Sequence, residues 1–129
     1  MLVVIDTNVL VSALYSRDGN PARIIALVQN DVLTACYDYR ILEEYREVLK
    51  RPRFGFSEWE VNGLLWQIEK DGLAVSPLPL HVEFADEQDL KFYEVAKHCQ
   101  AKLVTGNLKH FPKDGLVLSV KDFLAQIEE

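Results

Sequence analysis

The chain has 129 residues, 49% of them apolar and 26% charged, which suits a single globular domain and leaves too little chain for two. A formal net charge of −6 argues against a general polyanion binder. The longest apolar runs have only the length of a strand, so no membrane span is expected, and no basic segment precedes the first run, so neither is a signal peptide.

The expectation is therefore one cytoplasmic domain over residues 1–129. Cys36 and Cys99 stand singly in apolar segments without a C-x-x-C spacing and read as buried reduced thiols, although an even count leaves a disulfide open.

The first element, Leu2-Val3-Val4-Ile5, is a run of branched aliphatics with no alternation. Such a run predicts a strand buried on both faces, in the middle of a parallel sheet. Asp6-Thr7-Asn8 follow directly and would stand at the sheet's carboxyl edge, where open α/β folds bind ligands. The plain alternative is that Asp6 only caps the next helix.

Asn20 as cap and Pro21 at the first helical position predict a helix carrying Ala22, Ile25, Ala26 and Val28. A strand over 33–36 leads into the clearest helix, 38–50, with Ile41, Leu42, Tyr45, Val48 and Leu49 on one face and a stop ahead of Pro52. A Ser57-x-x-Glu60 capping box opens a helix over 57–70 carrying Val61, Leu64, Leu65 and Ile68. A strand at 73–75 and an extended connector through Pro77-Leu78-Pro79 precede a helix at 87–100. Strands at 103–105 and 116–118 and a last helix at 119–128 complete the chain. Strands alternating with helices imply a parallel sheet of about five strands, covered on both faces.

Helical geometry sorts the acids. At ~100° per residue, Glu43 and Glu47 fall opposite the apolar stripe of helix 38–50, whereas Glu44 sits at its border beside Val48 and can reach over the sheet edge. Pairing with Arg40 or Lys50 is the ordinary alternative for Glu44. In helix 87–100, Phe92, Val95, Ala96 and Cys99 form the buried face, with Asp89 at its margin and Asp86 just before the helix. Caps and first-turn acids also serve plain helix stability. Four carboxylates, Asp6, Glu44, Asp86 and Asp89, with no opposing lysine or arginine would repel one another, and a divalent cation relieves that.

His81, His98 and His110 are not at zinc-ligand spacing, and no phosphate loop, dinucleotide fingerprint or Gly-x-Ser-x-Gly elbow occurs. Basic residues bunch at Arg46, Lys50, Arg51 and Arg53 and again at Lys109, His110 and Lys113, either as solvated faces or as a local phosphate-contacting strip.

The residues Val4-Ile5-Asp6-Thr7-Asn8-Val9-Leu10-Val11-Ser12-Ala13, Leu42-Glu43-Glu44-Tyr45-Arg46-Glu47-Val48-Leu49 with Arg51-Pro52-Arg53-Phe54, Asp86-Glu87-Gln88-Asp89-Leu90-Lys91-Phe92 and Leu103-Val104-Thr105-Gly106-Asn107 resemble a PIN-domain ribonuclease. The likeness is to the prokaryotic kind that forms the toxin half of a type II toxin–antitoxin pair. It implies a three-layer α/β/α, Rossmann-like fold and metal-dependent cleavage of RNA phosphodiester bonds with Mg2+ or Mn2+.

By position, Asp6, Glu44 and Asp89 match the catalytic, metal-binding acids, and Asp86 an auxiliary one. Thr7, Asn8 and Thr105 would orient ligands or water. Asn107 departs from the pattern, where many members carry aspartate, and this weakens a second metal position more than the first. The resemblance also implies a cognate antitoxin.

A homodimer is expected on two grounds, the resemblance and the aromatic surface of Phe54, Phe56, Trp59 and Trp66 around helices 38–50 and 57–70. The basic run Arg46, Lys50, Arg51 and Arg53, with Lys109, would then line a shared RNA groove. Two rivals stand beside this reading. A phosphohydrolase with Asp6 as nucleophile wants a second acid where Asn8 stands. A non-catalytic PIN-fold module that binds RNA or protein is suggested by Asn107.

Overall fold

The computed structural model describes residues 1–128. Its centre is a sheet of five parallel strands, β1 (Leu2–Ile5), β2 (Thr34–Tyr37), β3 (Leu73–Ala74), β4 (Lys102–Val104) and β5 (Val117–Leu118), in the order β3-β2-β1-β4-β5. β1 is central: Val3 pairs with Ala35 of β2 on one side and with Lys102 of β4 on the other. Val3, Val4 and Ile5 are buried, as an unalternating apolar run requires. β3 lies at one edge, where both its residues are exposed.

Six helices cover the sheet: α1 (Thr7–Tyr15), α2 (Asn20–Gln29), α3 (Tyr39–Leu49), α4 (Glu58–Asp71), α5 (Glu87–Cys99) and α6 (Val120–Ile127). From β1 to β3 the chain steps one way along the sheet, then returns through α5 to β4 on the other side of β1. Right-handed crossovers put the first four helices and α5 on opposite faces, giving three layers, α/β/α. The direction reverses between β1 and β4, and the carboxyl ends of those strands border the crevice that such a reversal opens.

Local chemistry sets the boundaries. Asp38, Ser57, Asp86 and Ser119 each accept a hydrogen bond from a first-turn amide of α3, α4, α5 and α6. At the α4–β3 junction a Cβ on Gly72 would come within 2.3 Å of the Ile68 carbonyl oxygen and 2.6 Å of that of Ala35, so only glycine fits.

The helix over Thr7–Tyr15 begins straight after β1, and Asp6 occupies its cap position with extended backbone. Yet the Asp6 side chain makes no capping hydrogen bond, so the cap alternative does not account for it. Among the described residues no helix is long and apolar enough to cross a membrane. Cys36 is buried, Cys99 is half-buried, and both are free thiols.

Candidate active site at the carboxyl ends of β1 and β4

Asp6 emerges from β1 where its backbone N–H still donates to the Val104 carbonyl of β4, at 3.0 Å. The residue is only 6% exposed. Two neutral side chains hold it. The Thr105 hydroxyl donates to Oδ2 at 2.7 Å, and the Asn8 amide reaches the same oxygen at 3.4 Å. Asn8 Oδ1 in turn accepts from the Gly106 N–H at 3.1 Å, and the Asn107 N–H donates to Thr105 Oγ1 at 3.0 Å. A ring of hydrogen bonds thus ties the end of β1 to the end of β4 and fixes Asp6 between them. Thr7, Asn8, Thr105 and the backbone of Asn107 all lie in or next to this ring.

Glu44 comes from α3. Tyr45, next in sequence, is buried, and its hydroxyl donates to the Ile5 carbonyl, which pins α3 to the end of β1. Glu44 then leans over the strand ends, while Glu43 points outward and pairs with Arg46. The Thr7 hydroxyl donates to one Glu44 oxygen. The other lies 2.7 Å from the ammonium of Lys91 on α5.

Two expectations are corrected here. The acids do have an opposing lysine. Glu44 pairs with neither Arg40 nor Lys50, because Arg40 is committed to the buried Asp38 and Glu94. Lys91 was missed because periodicity was read from apolar residues alone. It sits four residues before Val95, on the buried stripe of α5 carried one turn back, and that position was the available signal.

Asp89 lies in the first turn of α5, partly buried, with its Oδ2 3.1 Å from His110 Nδ1. The histidines were set aside on spacing, but a short 3-10 turn, Leu108–His110, following Asn107 brings His110 back to the site. Asp86 is exposed and caps α5 by accepting from the Gln88 N–H at 2.9 Å, the ordinary role its position suggests.

The electrostatics follow from this crowding. Burial, reinforced by the charges of Asp89 and Glu44 and opposed by the Thr105 hydrogen bond, pushes the Asp6 carboxyl up to about 6. Asp89 is also raised, chiefly by burial and further by Asp86 and Glu44, against the pull of His110. The Tyr45 phenol is held well above its usual range by burial, with Asp6 and Glu44 adding to the effect.

Among the described residues no three His, Cys, Asp or Glu side chains stand close enough together to hold a metal ion between them. The donor chemistry still fits a hard divalent cation. The oxygens are carboxylate, and Asp6, raised by burial and by the charges of Asp89 and Glu44, has only neutral partners.

Beside Glu44 a cleft of about 630 Å³ opens between α3 and the start of α5, lined in part by Arg40, Arg51, Gln88 and Lys91. The sequence-predicted basic strip is largely neutralised within the molecule. Arg46 pairs with Glu43 and Glu69, and Arg51 with Glu47. Lys50, Arg53 and Lys109 remain exposed.

The fold is a doubly wound α/β domain with one buried carboxylate, Asp6, and two partly buried ones, Glu44 and Asp89, gathered at its switch point. Comparison with known proteins gives the family. The PIN domain profile matches residues 2–109, so this chain belongs to the PIN domain family, whose members are generally nucleases that use divalent metals. It is also similar to the uncharacterized protein MJ1680 of Methanocaldococcus jannaschii, with 29% identity over 108 residues, covering 81% of this chain and 70% of that protein.

Proposed function

We propose that this PIN-domain protein is a Mg2+- or Mn2+-dependent endoribonuclease, folded as one domain over 1–129, and the cytoplasmic toxin of a toxin–antitoxin pair. The observation that carries the chemistry is Asp6, a buried carboxylate raised to about 6 with Asp89 and Glu44 beside it. Perturbed acids of this kind concentrate at functional sites. The cation would be held by Asp6 and Asp89, with Glu44 and Asp86 completing the acidic rim. When bound it would lower the pKa of a water and offset charge growing on the phosphate.

The chain's own residues do the remaining work. Thr105 and Asn8 keep the Asp6 carboxylate in one orientation. Thr7 and Lys91 keep Glu44 turned over the strand ends. His110 braces Asp89 from the side of the 3-10 turn. Lys50, Arg53 and Lys109 are the exposed cations available to RNA phosphates, while Arg46 and Arg51 are engaged in ion pairs. The antitoxin assignment rests on the sequence resemblance. The homodimer is supported by Trp59 and Trp66, which remain exposed beside a groove of about 1000 Å³ between α1, α2 and α4.

Two features favour the second reading, a PIN-fold binding module that does not cut. Glu44 is already engaged by Lys91 and Thr7, and Asn107 replaces an acid. Incubation of the full chain with single-stranded RNA and manganese separates the two. Cleavage that chelator abolishes, and that Asp6→Asn lowers at least about a hundredfold, supports the nuclease. RNA left intact by the unmodified chain across magnesium and manganese overturns it.

A further inference from the structure

The chain's two cysteines stand far apart in sequence and meet in the fold. Cys36 lies in β2, between β1 and β3, and is fully buried. Cys99 ends α5, which packs across β1 and β2, and there it is half-buried at the margin of the core. The two thiols lie within hydrogen-bonding reach of each other, and both are free. The chemistry proposed above uses neither of them.

Their surroundings are unequal. Burial, with the neighbouring Cys99 adding to it, pushes the Cys36 thiol up to about 12, so it stays protonated and is a poor nucleophile. No reagent in solution reaches it directly, because Cys36 has no exposed surface. Cys99 is the reachable sulfur, at the C-terminal end of α5. A bond between the two would join elements that present the acids, since β2 runs into α3 with Glu44, and α5 carries Asp89.

We propose that Cys36 and Cys99 form a reversible disulfide that fastens α5 to β2, with Cys99 as the point of entry for a small disulfide oxidant such as oxidised glutathione. The Cys99 thiolate attacks one sulfur of the oxidant, whose S–S bond breaks and releases one small thiolate. Cys36 then gives up its proton and attacks Cys99 Sγ. The mixed disulfide breaks as the new bond forms, and the second small thiolate leaves. The two protein thiols lose two electrons, the oxidant gains them, and the two protons end on its thiols. A bond from 36 to 99 closes a long loop and removes freedom from the unfolded chain, so the oxidised protein is harder to unfold.

The test incubates the full chain with oxidised glutathione and reads intact mass, free thiols in urea, linked peptides and melting temperature. The unmodified chain loses two hydrogens, retains no glutathione and yields Cys36 linked to Cys99 within one molecule. Its melting temperature rises by on the order of 10 °C, and dithiothreitol restores both thiols. Cys36→Ala, which adds no polar group to the core, stops at the mixed disulfide with one glutathione on Cys99. Cys99→Ser keeps the Cys36 thiol free. The linked peptide comes from the unmodified chain and does not depend on either variant folding.

Two thiols still free in the unmodified chain, glutathione retained on it, or a Cys99–Cys99 bond between two copies overturns the proposal. So does a Cys99→Ser chain that takes glutathione at Cys36. An oxidised chain that melts no higher than the reduced one overturns the fastening of α5 to β2.

Discussion

At the scale of single residues, Asp6 joins sequence to chemistry. Ending an apolar strand with an aspartate forces a carboxylate into a place with little water, and burial raises its pKa from 3.8 to about 6. The folded, metal-free protein therefore holds a proton between those two values that the unfolded chain has lost. Stability from this group is fully present below the lower value and is lost as pH rises through about 6. The loss is of order 2–3 kcal/mol. Asn at position 6 cannot ionise, so the stability of Asp6→Asn should fall less over that range, with the raised Asp89 still contributing, and above pH 6 it should exceed that of the metal-free unmodified chain. Urea unfolding at pH 4 to 8 in the presence of chelator measures this directly. Parallel curves for the two proteins would mean that Asp6 is not held as described.

At the scale of elements, what the sequence revealed depended on whether a signal was local. Strand β1 was legible because four branched aliphatics in a row need two buried faces. α3 was legible from its apolar stripe and the stop before Pro52, and α4 and α5 from stripes at helical spacing behind Ser57 and Asp86. What stayed hidden was any group whose role depends on a partner far along the chain. Lys91 and Glu94 are buried because Glu44, Arg40 and the Leu80 amide reach them from other elements. His110 meets Asp89 only through the turn after β4.

Helix register was read correctly where geometry alone decides it. Glu43 faces solvent and Glu44 faces the strand ends, separated by about 100° around α3. Glu44→Gln should therefore lower RNA cleavage by about a hundredfold or more, since it also leaves Lys91 buried without its counter-ion. Glu43→Gln should stay within a few-fold. Single-turnover cleavage rates would show the ranking, and a larger loss at Glu43 would contradict the placement of α3.

At the scale of the whole molecule, the surface divides by chemistry. The carboxyl edge carries the acids, and a separate apolar face carries Trp59, 85% exposed, and Trp66, 60% exposed. Phe54 and Phe56, expected to join that face, instead pack against each other and against Tyr15. In the proposed homodimer this aromatic face is the interface, since exposed apolar patches mark interaction sites. The chain should run as a dimer in light scattering, and Trp59→Glu with Trp66→Glu should run as a monomer. Its melting temperature at matched dilution should fall little, because neither indole contributes to the core. A strictly monomeric unmodified chain at high concentration would contradict the assignment.

The most direct test of the acidic centre is the rise in melting temperature that manganese produces, measured at pH 5 and pH 7. The ion needs Asp6 ionised, and a carboxyl near 6 is mostly protonated at the lower pH and mostly ionised at the higher. Manganese a hundredfold above its dissociation constant at pH 7 should stabilise the chain by about 2.7 kcal/mol, a shift on the order of 10 °C. The shift should shrink markedly at pH 5 and be absent in Asp6→Asn at both. An equal shift in Asp6→Asn, or no shift in the unmodified chain at pH 7, would contradict a cation site at Asp6.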